Sequence, residues 1–416
     1  MATRRVKQPE QRQAPRRTPW GRAAAAITSR RRVPGAPGAR PQFPDAPGAR
    51  QQVPGAPGAR QQVPGAPGAR RGLSARRQET AAGWLFTVPA MAALIVFLVV
   101  PIGMAAWVSI SDWSGIGSPF SSGVHSVGVA NYKALLTQPG LPQQQLGQSI
   151  RDNFYYVLLV VPLQTVLALL LAIVVSRKAL RGRGFFRTAF YFPSVSSSVA
   201  VSMIFIFLFA DSGVINGALG YLGAHGPNWF SDPNGLLQMI AHGLGIRAPA
   251  ALSDHGLLGL PWSQWLAGPS VAMCTLIILA IWTTSGTFML LFLPALYSIS
   301  EQVEEAAIVD GAGPWTRLRR ITLPLIRPAL FLVLTLGLIG SWTVFDQVFL
   351  ITQGNPAGTT LTPAYLAYQV SFGNQQWGEG AAIAFILFGI IVLFTVVQRL
   401  LVRGRGSVSP VRGWRP

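Results

Sequence analysis

Between two long apolar segments the chain reads Glu305-Ala306-Ala307, then Asp310-Gly311-Ala312, and then Ile321-Thr322-Leu323-Pro324. Three glutamates within residues 301–305 come just before or among these positions, and carboxylates are favoured near a helix N-terminus. Gly311 predicts the end of that helix, because glycine adopts the positive φ of a tight reversal without strain. The stretch therefore predicts a helix, a turn and a second short helix in a loop at residues 294–328.

The start and end of this loop carry their own signals. Ser298 and Glu301 have the spacing of a capping box, which predicts that the first helix begins at Ser298. Pro324 and Pro328 end the loop before the next apolar segment. On these residues alone, a pair of amphipathic helices lying at a membrane surface is an open alternative.

The apolar residues come in long runs. The chain has 416 residues, of which 50% are hydrophobic and 12% are charged. A helix needs about 20 mostly apolar residues to cross a hydrocarbon core. We predict six transmembrane helices, at 84–110, 152–176, 188–210, 269–293, 329–352 and 380–402. The predicted fold class is an all-α polytopic membrane protein, with its transmembrane domain at 80–405, rather than a soluble helical protein or a β-barrel.

The net charge of +20 is unevenly distributed. Residues 1–79 hold 17 of the 34 lysines and arginines. In the segments that we place outside the cell, the basic residues are Lys133, Arg151 and Arg247. Because basic loops stay in the cytoplasm, we expect both termini to be cytoplasmic and the number of spans to be even.

Residues 1–79 are predicted to be a disordered basic arm. They repeat a ten-residue unit that first reads Val33-Pro34-Gly35-Ala36-Pro37-Gly38-Ala39-Arg40, which has no apolar face to bury. The glycine spacing does not keep the period of collagen. The arm is either attracted to anionic membrane lipid or an inert tail, and its scarcity of aromatic residues argues against nucleic-acid binding. Residues 406–416 are predicted to form a basic C-terminal tail.

The chain lacks the usual signals of catalysis. Cys274 is its one cysteine, so neither a disulfide within the chain nor a zinc cluster is expected. Its three lysines, Lys7, Lys133 and Lys178, end no phosphate-binding loop of the Gly-x-x-x-x-Gly-Lys type. We therefore expect a non-catalytic protein without a metal or cofactor of its own.

The loop at 294–328 resembles the EAA loop of binding-protein-dependent ABC-transporter permeases, with unbroken spacing from Glu305 to Pro324. The resemblance extends over roughly 84–402. It includes stretches typical of maltose-type sugar permeases: Tyr191-Phe192-Pro193, Gly213-Val214-Ile215-Asn216, Phe345-Asp346-Gln347-Val348-Phe349 and Thr352-Gln353-Gly354-Asn355-Pro356. The family usually has Gly-Gly before that last proline, where this chain has Gly354-Asn355.

The resemblance implies a type I importer fold and a division of labour among subunits. This chain would be a permease subunit, paired with a second permease as a heterodimer, in a bacterial cell membrane. An ABC ATPase dimer would hold ATP and Mg²⁺, and an extracytoplasmic binding protein would deliver a sugar or oligosaccharide. The residues implied in ATPase coupling are Glu305, Ala306, Ala307, Asp310, Gly311, Ile321, Leu323 and Pro324.

Polar and aromatic residues inside spans indicate a substrate path, because polar groups are costly there. The candidates are Thr284, Thr287, Trp342, Phe345, Asp346 and Gln347. By their distance from Glu305, the two threonines match sugar-contacting positions of the maltose-type family. Threonines more often bond helix to helix, and Trp342 and Phe345 are individually better explained as packing residues. For Asp346, a structural clamp and a substrate contact are equally open.

Other functions are also compatible with the sequence. The chain also fits an ABC permease for another small solute. A stand-alone secondary transporter commonly needs several ionisable residues in its spans, and Asp346 is almost the only one that we place there. A membrane-tethered interaction protein is a third possibility, with the repeat arm as its binding segment.

The charge distribution makes the topology testable. Reporter fusions after Arg183 and after Gly245 are expected to report opposite sides of the membrane, since basic residues crowd only the first of these loops. Cytoplasmic signals from both fusions would contradict the six-span arrangement.

Overall fold

The computed structural model describes residues 73–177, 181–224, 226–245 and 255–403. The predicted C-terminal tail lies outside these residues, and so do residues 1–72 of the predicted arm. Residues 73–79, which the sequence assigned to the arm, form the first turns of a helix.

The described residues are mostly helical. We number the helices α1 Leu73–Leu94, α2 Val100–Ser109, α3 Ala130–Leu136, α4 Leu141–Ser176, α5 Arg183–Val195, α6 Ser198–Leu208, α7 Val214–Tyr221, α8 Leu236–Gly243, α9 Trp262–Trp265, α10 Val271–Tyr297, α11 Glu301–Val309, α12 Pro314–Arg317, α13 Leu323–Leu325, α14 Arg327–Trp342, α15 Pro363–Tyr368 and α16 Trp377–Arg403. Wide π-turns occupy Ile95–Val99, Leu318–Thr322, Val348–Thr352 and Gln369–Gly373. A short antiparallel hairpin pairs β1 Gly256–Leu257 with β2 Leu260–Pro261.

Within the described ranges, four helices are long and apolar enough to cross a membrane. They are Gly83–Ser109, Leu141–Ser176, Val271–Tyr297 and Trp377–Leu401. Two further candidates are bent: α5 with α6 by 95°, and the α12–α13 segment with α14 by 77°. If each bent pair is one span, the total is the predicted six, and the all-α membrane fold is confirmed.

Helix α4 lies at the centre of the domain and packs along α10 and α14. Small residues of α4, Ala168 and Ala172, share a buried cluster with Phe288 and Phe292 of α10 and Val333 of α14. Small residues let helix backbones approach closely. This matters in a membrane because lipid tails are as apolar as the side chains, so helices associate through close packing and not through the hydrophobic effect. This packing places α4 between the two helices that the sequence singled out for substrate contact.

The predicted fifth span, 329–352, is wrong as a continuous helix. Helix α14 ends at Trp342, and an irregular segment precedes the turn Val348–Thr352. Carbonyls freed by this break find partners within the protein, as hydrocarbon requires. Asn153 Nδ2 donates to the Trp342 carbonyl at 3.0 Å, and Thr362 Oγ1 donates to the Val344 carbonyl at 3.1 Å.

The predicted third span is also broken. Helix α5 ends at Val195, and extended backbone at Ser196 and Ser197 turns the chain into α6. Pro193 lies in the last turn before this break, where it removes a backbone donor. Ser194 Oγ donates to the Thr283 carbonyl, so a side chain near the break bonds the neighbouring helix α10.

The contact between α5 and α10 depends on one glycine. A Cβ at Gly286 would lie 2.1 Å from the Phe190 carbonyl oxygen. Gly286→Ala is expected to destabilise the protein by about 1–3 kcal/mol, because overpacking forces the helices apart. Thermal unfolding of the purified chain in detergent measures the effect.

Gly103→Ala is the matched control, since a Cβ at Gly103 meets no heavy atom within 4 Å. Equal melting temperatures for the two variants would contradict the close approach of α5 to α10.

Candidate functional site

A cavity of about 290 Å³ lies beside α4, α10, α14 and the irregular segment that follows α14. It is lined by Tyr156, Val160, Gln164, Ala280, Thr284, Phe288, Leu336, Gly337, Gly340, Ser341, Thr343, Val344, Phe345, Asp346 and Gln347. Apolar walls with a few polar groups are typical of small-molecule sites.

Helix α4 contributes one face to the cavity, through Tyr156, Val160 and Gln164. Residues four apart lie above one another on a helix. Tyr156 Oη donates to Gln347 Oε1 at 3.0 Å, and Thr284 Oγ1 donates to Gln164 Oε1 at 2.6 Å. Two side-chain hydrogen bonds therefore tie α4 to the other walls of the cavity.

The structure brings together four of the six residues predicted for the substrate path. Thr284, Phe345, Asp346 and Gln347 all line the cavity. Thr287 does not line it and is exposed elsewhere on α10. The spacing along α10 placed Thr287 with Thr284, but the packing of the neighbouring helices decides which of the two faces the cavity.

Trp342 also lies outside the cavity lining. It is 1% exposed and packs against Phe394 of α16, with ring centroids 5.3 Å apart. It was grouped with the substrate path as an aromatic residue of the predicted fifth span. The end of α14 redirects the chain between Trp342 and Phe345.

Asp346 links the two broken spans. Ser198 Oγ, on the first residue of α6, donates to Asp346 Oδ2 at 3.1 Å. Asp346 also lines the cavity, so the structure gives it the position of a clamp and of a cavity wall at the same time. This hydrogen bond therefore joins the start of α6, after the break in the third span, to the segment that follows the break in the fifth span.

The sequence analysis missed the α4 wall of the cavity. Gln164 is the signal that was available, since an amide inside an apolar span is costly without a partner. A second omission is Arg151, which we had placed in an outside segment. It is buried in α4 and paired with Asp152, with Nη2 and Oδ1 2.6 Å apart.

The loop that opened the sequence analysis forms the predicted helix, turn and short helix. Helix α11 ends in a Schellman motif: the Gly311 amide donates to the Ile308 carbonyl at 3.0 Å, and the Ala312 amide donates to the Ala307 carbonyl at 2.9 Å. Gly311 has φ of +74°, so the prediction of a positive φ is confirmed.

The predicted capping box is wrong. Ser300, not Ser298, is the residue at the N-cap of α11. Ser298 ends the preceding helix, and its hydroxyl donates to the Ala295 carbonyl at 2.8 Å. The long helix α10 extends to Tyr297, four residues past the predicted span, which moves the start of α11 along the chain.

Helix α11 stands exposed. Glu305, Ala306 and Asp310 are exposed, while Ala307 is buried. Apolar side chains share this exposure, including Val309 at 87%. An exposed short helix with acidic and apolar side chains is suited to docking in a groove of another protein.

The second half of the loop packs against the core. Ile321, Leu323 and Pro324 are half-buried. Leu323 packs against the cluster that contains Phe292 and Val333, so it connects the loop to the core beneath the cavity. The eight coupling candidates thus fall into two groups: one on the exposed helix and the turn that follows it, and one in a half-buried segment that adjoins the core.

The fold, the cavity and the loop match a known family. Residues 147–406 match the family model of the binding-protein-dependent transport system inner membrane component. The chain belongs to this family, as the EAA-like loop indicated. It is a multi-pass membrane subunit of a transport system, which removes the stand-alone secondary transporter from consideration.

Individual relatives agree over most of their length. The chain is 29% identical over 324 residues to a probable ABC transporter permease protein, YesP, of Bacillus subtilis (strain 168), covering 77% of this chain and 90% of YesP. It is 28% identical over 335 residues to the lactose transport system permease protein LacF of Rhizobium radiobacter, covering 80% of this chain and 97% of LacF. A solved bacterial ABC transporter involved in the import of the acidic polysaccharide alginate shares the fold, with a TM-score of 0.58 and 19% identity over 80% of this chain and 99% of that chain.

Proposed function

We propose that this chain is a permease subunit of an ABC importer and forms part of the translocation path for a sugar or oligosaccharide. The observation that carries the proposal is a cavity between spans, with apolar walls and a few polar groups, in the same domain as an exposed, Schellman-terminated helix. The lactose permease relative supports the sugar class. The aromatic, hydroxyl and amide groups around the cavity suit a sugar, which presents apolar faces and hydroxyls.

The machinery that drives transport is assigned to other chains. An ABC ATPase dimer with ATP and Mg²⁺ docks on α11, a second permease completes the path as a heterodimer, and an extracytoplasmic binding protein delivers the sugar. The loop 294–328 and both termini lie in the cytoplasm of a bacterial cell. The apolar side chains Ile308 and Val309 support a docking role, because the residues that the structure describes leave more than half of each exposed.

Occluding the cavity tests the path. Gly340 lines the cavity, and a Cβ there meets no heavy atom within 4 Å. Gly340→Leu is therefore expected to fill the cavity without displacing the helix and to reduce uptake about tenfold or more, which corresponds to about 1.4 kcal/mol. The measurement is uptake of labelled lactose, maltotriose and arabinotriose by cells that express the chain with its neighbouring transporter genes.

Gly389→Leu on α16 is the matched control, since that glycine also has open space around its Cβ position and lies outside the cavity. Uptake of none of the three sugars by the wild type would contradict the sugar class. Normal uptake by Gly340→Leu would contradict the cavity as the path.

The turn after α11 tests coupling. Gly311→Asp is expected to cost about 1 kcal/mol or more in local stability, because the positive φ disfavours a side chain. The displaced helix should then lose its ATPase. Glu305→Lys should act similarly by reversing a charge on the exposed docking helix. Co-purification of the ATPase with each variant, together with uptake, measures coupling.

Gly313→Asp provides a matched control for the turn. Gly313 has φ of −64° at the N-cap of α12, where aspartate is favoured. The same charge two residues away should therefore leave ATPase recovery unchanged. Full recovery and uptake with both Gly311→Asp and Glu305→Lys would remove the coupling role of the loop.

A further inference from the structure

Gln164 is a fully buried amide on the cavity wall of α4. It is 1% exposed, and its Nε2 atom has no hydrogen-bond partner among the described residues. Leaving a buried polar atom unpaired is costly, so a native protein that keeps one usually has a use for it. Helix packing alone would be served as well by leucine or methionine at this position.

The other end of the amide is held. Thr284 Oγ1 lies 2.6 Å from Gln164 Oε1 and 2.6 Å from the Ala280 carbonyl oxygen. The hydroxyl carries one proton, so the opposite orientation of the amide would instead let nitrogen donate to Thr284. Either orientation leaves one polar atom of Gln164 pointing away from Thr284 and without a partner.

That unpaired atom lies against the cavity lining. A Cβ at Gly337 would be 2.6 Å from Gln164 Nε2 and 3.5 Å from Phe288 Cε2. Gly337 and Phe288 both line the cavity. The missing side chain at Gly337 therefore leaves the room that the amide itself occupies at the cavity wall.

The charge of the cavity restricts its ligand. Among the described residues that line it, Asp346 is the one carboxylate and none is basic. An anionic ligand would meet Asp346 without a cation to offset it. An uncharged polyhydroxylated ligand, in contrast, finds amides and hydroxyls that both donate and accept hydrogen bonds.

We propose that Gln164 is a specificity-determining contact of the cavity: Thr284 orients its amide, Gly337 makes room for the amide at the cavity wall, and the amide bonds a hydroxyl of an uncharged saccharide. This inference rests on the proposed sugar transport and names the class of sugar. Asp346 disfavours uronate-containing saccharides on this chain's side of the path.

The test compares sugar binding by variants of the assembled importer. The importer is purified in lipid nanodiscs through a tag on this chain, after co-expression with the neighbouring transporter genes. Saturation-transfer NMR titrations use lactose, maltotriose and arabinotriose as uncharged probes and trigalacturonate as the acidic probe. Gln164→Met keeps the volume of the side chain but removes the amide. It should lower the affinity for the uncharged probe that binds by about threefold to tenfold.

Two further variants separate contact from structure. Gly337→Ala should weaken the same probe, because its methyl group displaces the amide while Gln164 remains. Thr165→Val is the control: Thr165 is buried next to Gln164 in α4, but its hydroxyl donates to the Val161 carbonyl and does not line the cavity. Thermal unfolding identifies any variant that fails to fold. If Gln164→Met fails to fold, the binding measured with Gly337→Ala decides the outcome.

The outcomes are distinct. If Gln164→Met binds an uncharged probe as tightly as the wild type, the role of Gln164 is overturned and the proposed sugar transport stands. The same holds for Gly337→Ala if Gln164→Met does not fold. Equal binding of trigalacturonate by the wild type overturns the restriction to uncharged saccharides. Absence of binding for all four probes overturns the proposed sugar transport and this inference together.

Discussion

Backbone groups that leave a helix within hydrocarbon need partners from the protein itself, and this constraint shapes the centre of the molecule. Helix α14 can stop at Trp342 because Asn153, from α4, bonds the carbonyl left at its end. Thr362 does the same for Val344 two residues later. Without these donors the irregular segment would leave unsatisfied carbonyls in an apolar surrounding, each costing several kcal/mol.

The broken spans in turn create the site. A continuous helix through residues 343–347 would carry Asp346 and Gln347 along one rod, at positions set by helical spacing. Residues 343–345 instead interrupt the helix, and after this break Gln347 meets Tyr156 of α4 while Asp346 meets Ser198 of α6. Polar side chains at depth in a membrane protein are tolerated where they pair with each other or line a cavity, and these residues do both.

The cavity and the exposed loop are connected by packing rather than by a separate hinge. Leu323 of the loop and Phe288 of the cavity wall belong to one apolar cluster, which also holds the lower half of α4. Closely packed protein interiors transmit a displacement instead of absorbing it. Movement of α11 against a partner would therefore reach the helices around the cavity.

The sequence by itself determined the class of fold, the family and the turn at Gly311. Hydrophobic length reports a membrane helix directly, and a positive φ at a helix end requires a specific residue type, so both are local properties. The breaks after Val195 and Trp342, the exclusion of Trp342 and Thr287 from the cavity, and the burial of Arg151 with Asp152 were decided only in three dimensions. Each depends on donors or packing surfaces from distant helices. Gln164 shows the difference most clearly: its type marked it as unusual within an apolar span, but only the positions of Thr284 and Gly337 show which end of its amide is held and which is left for a ligand.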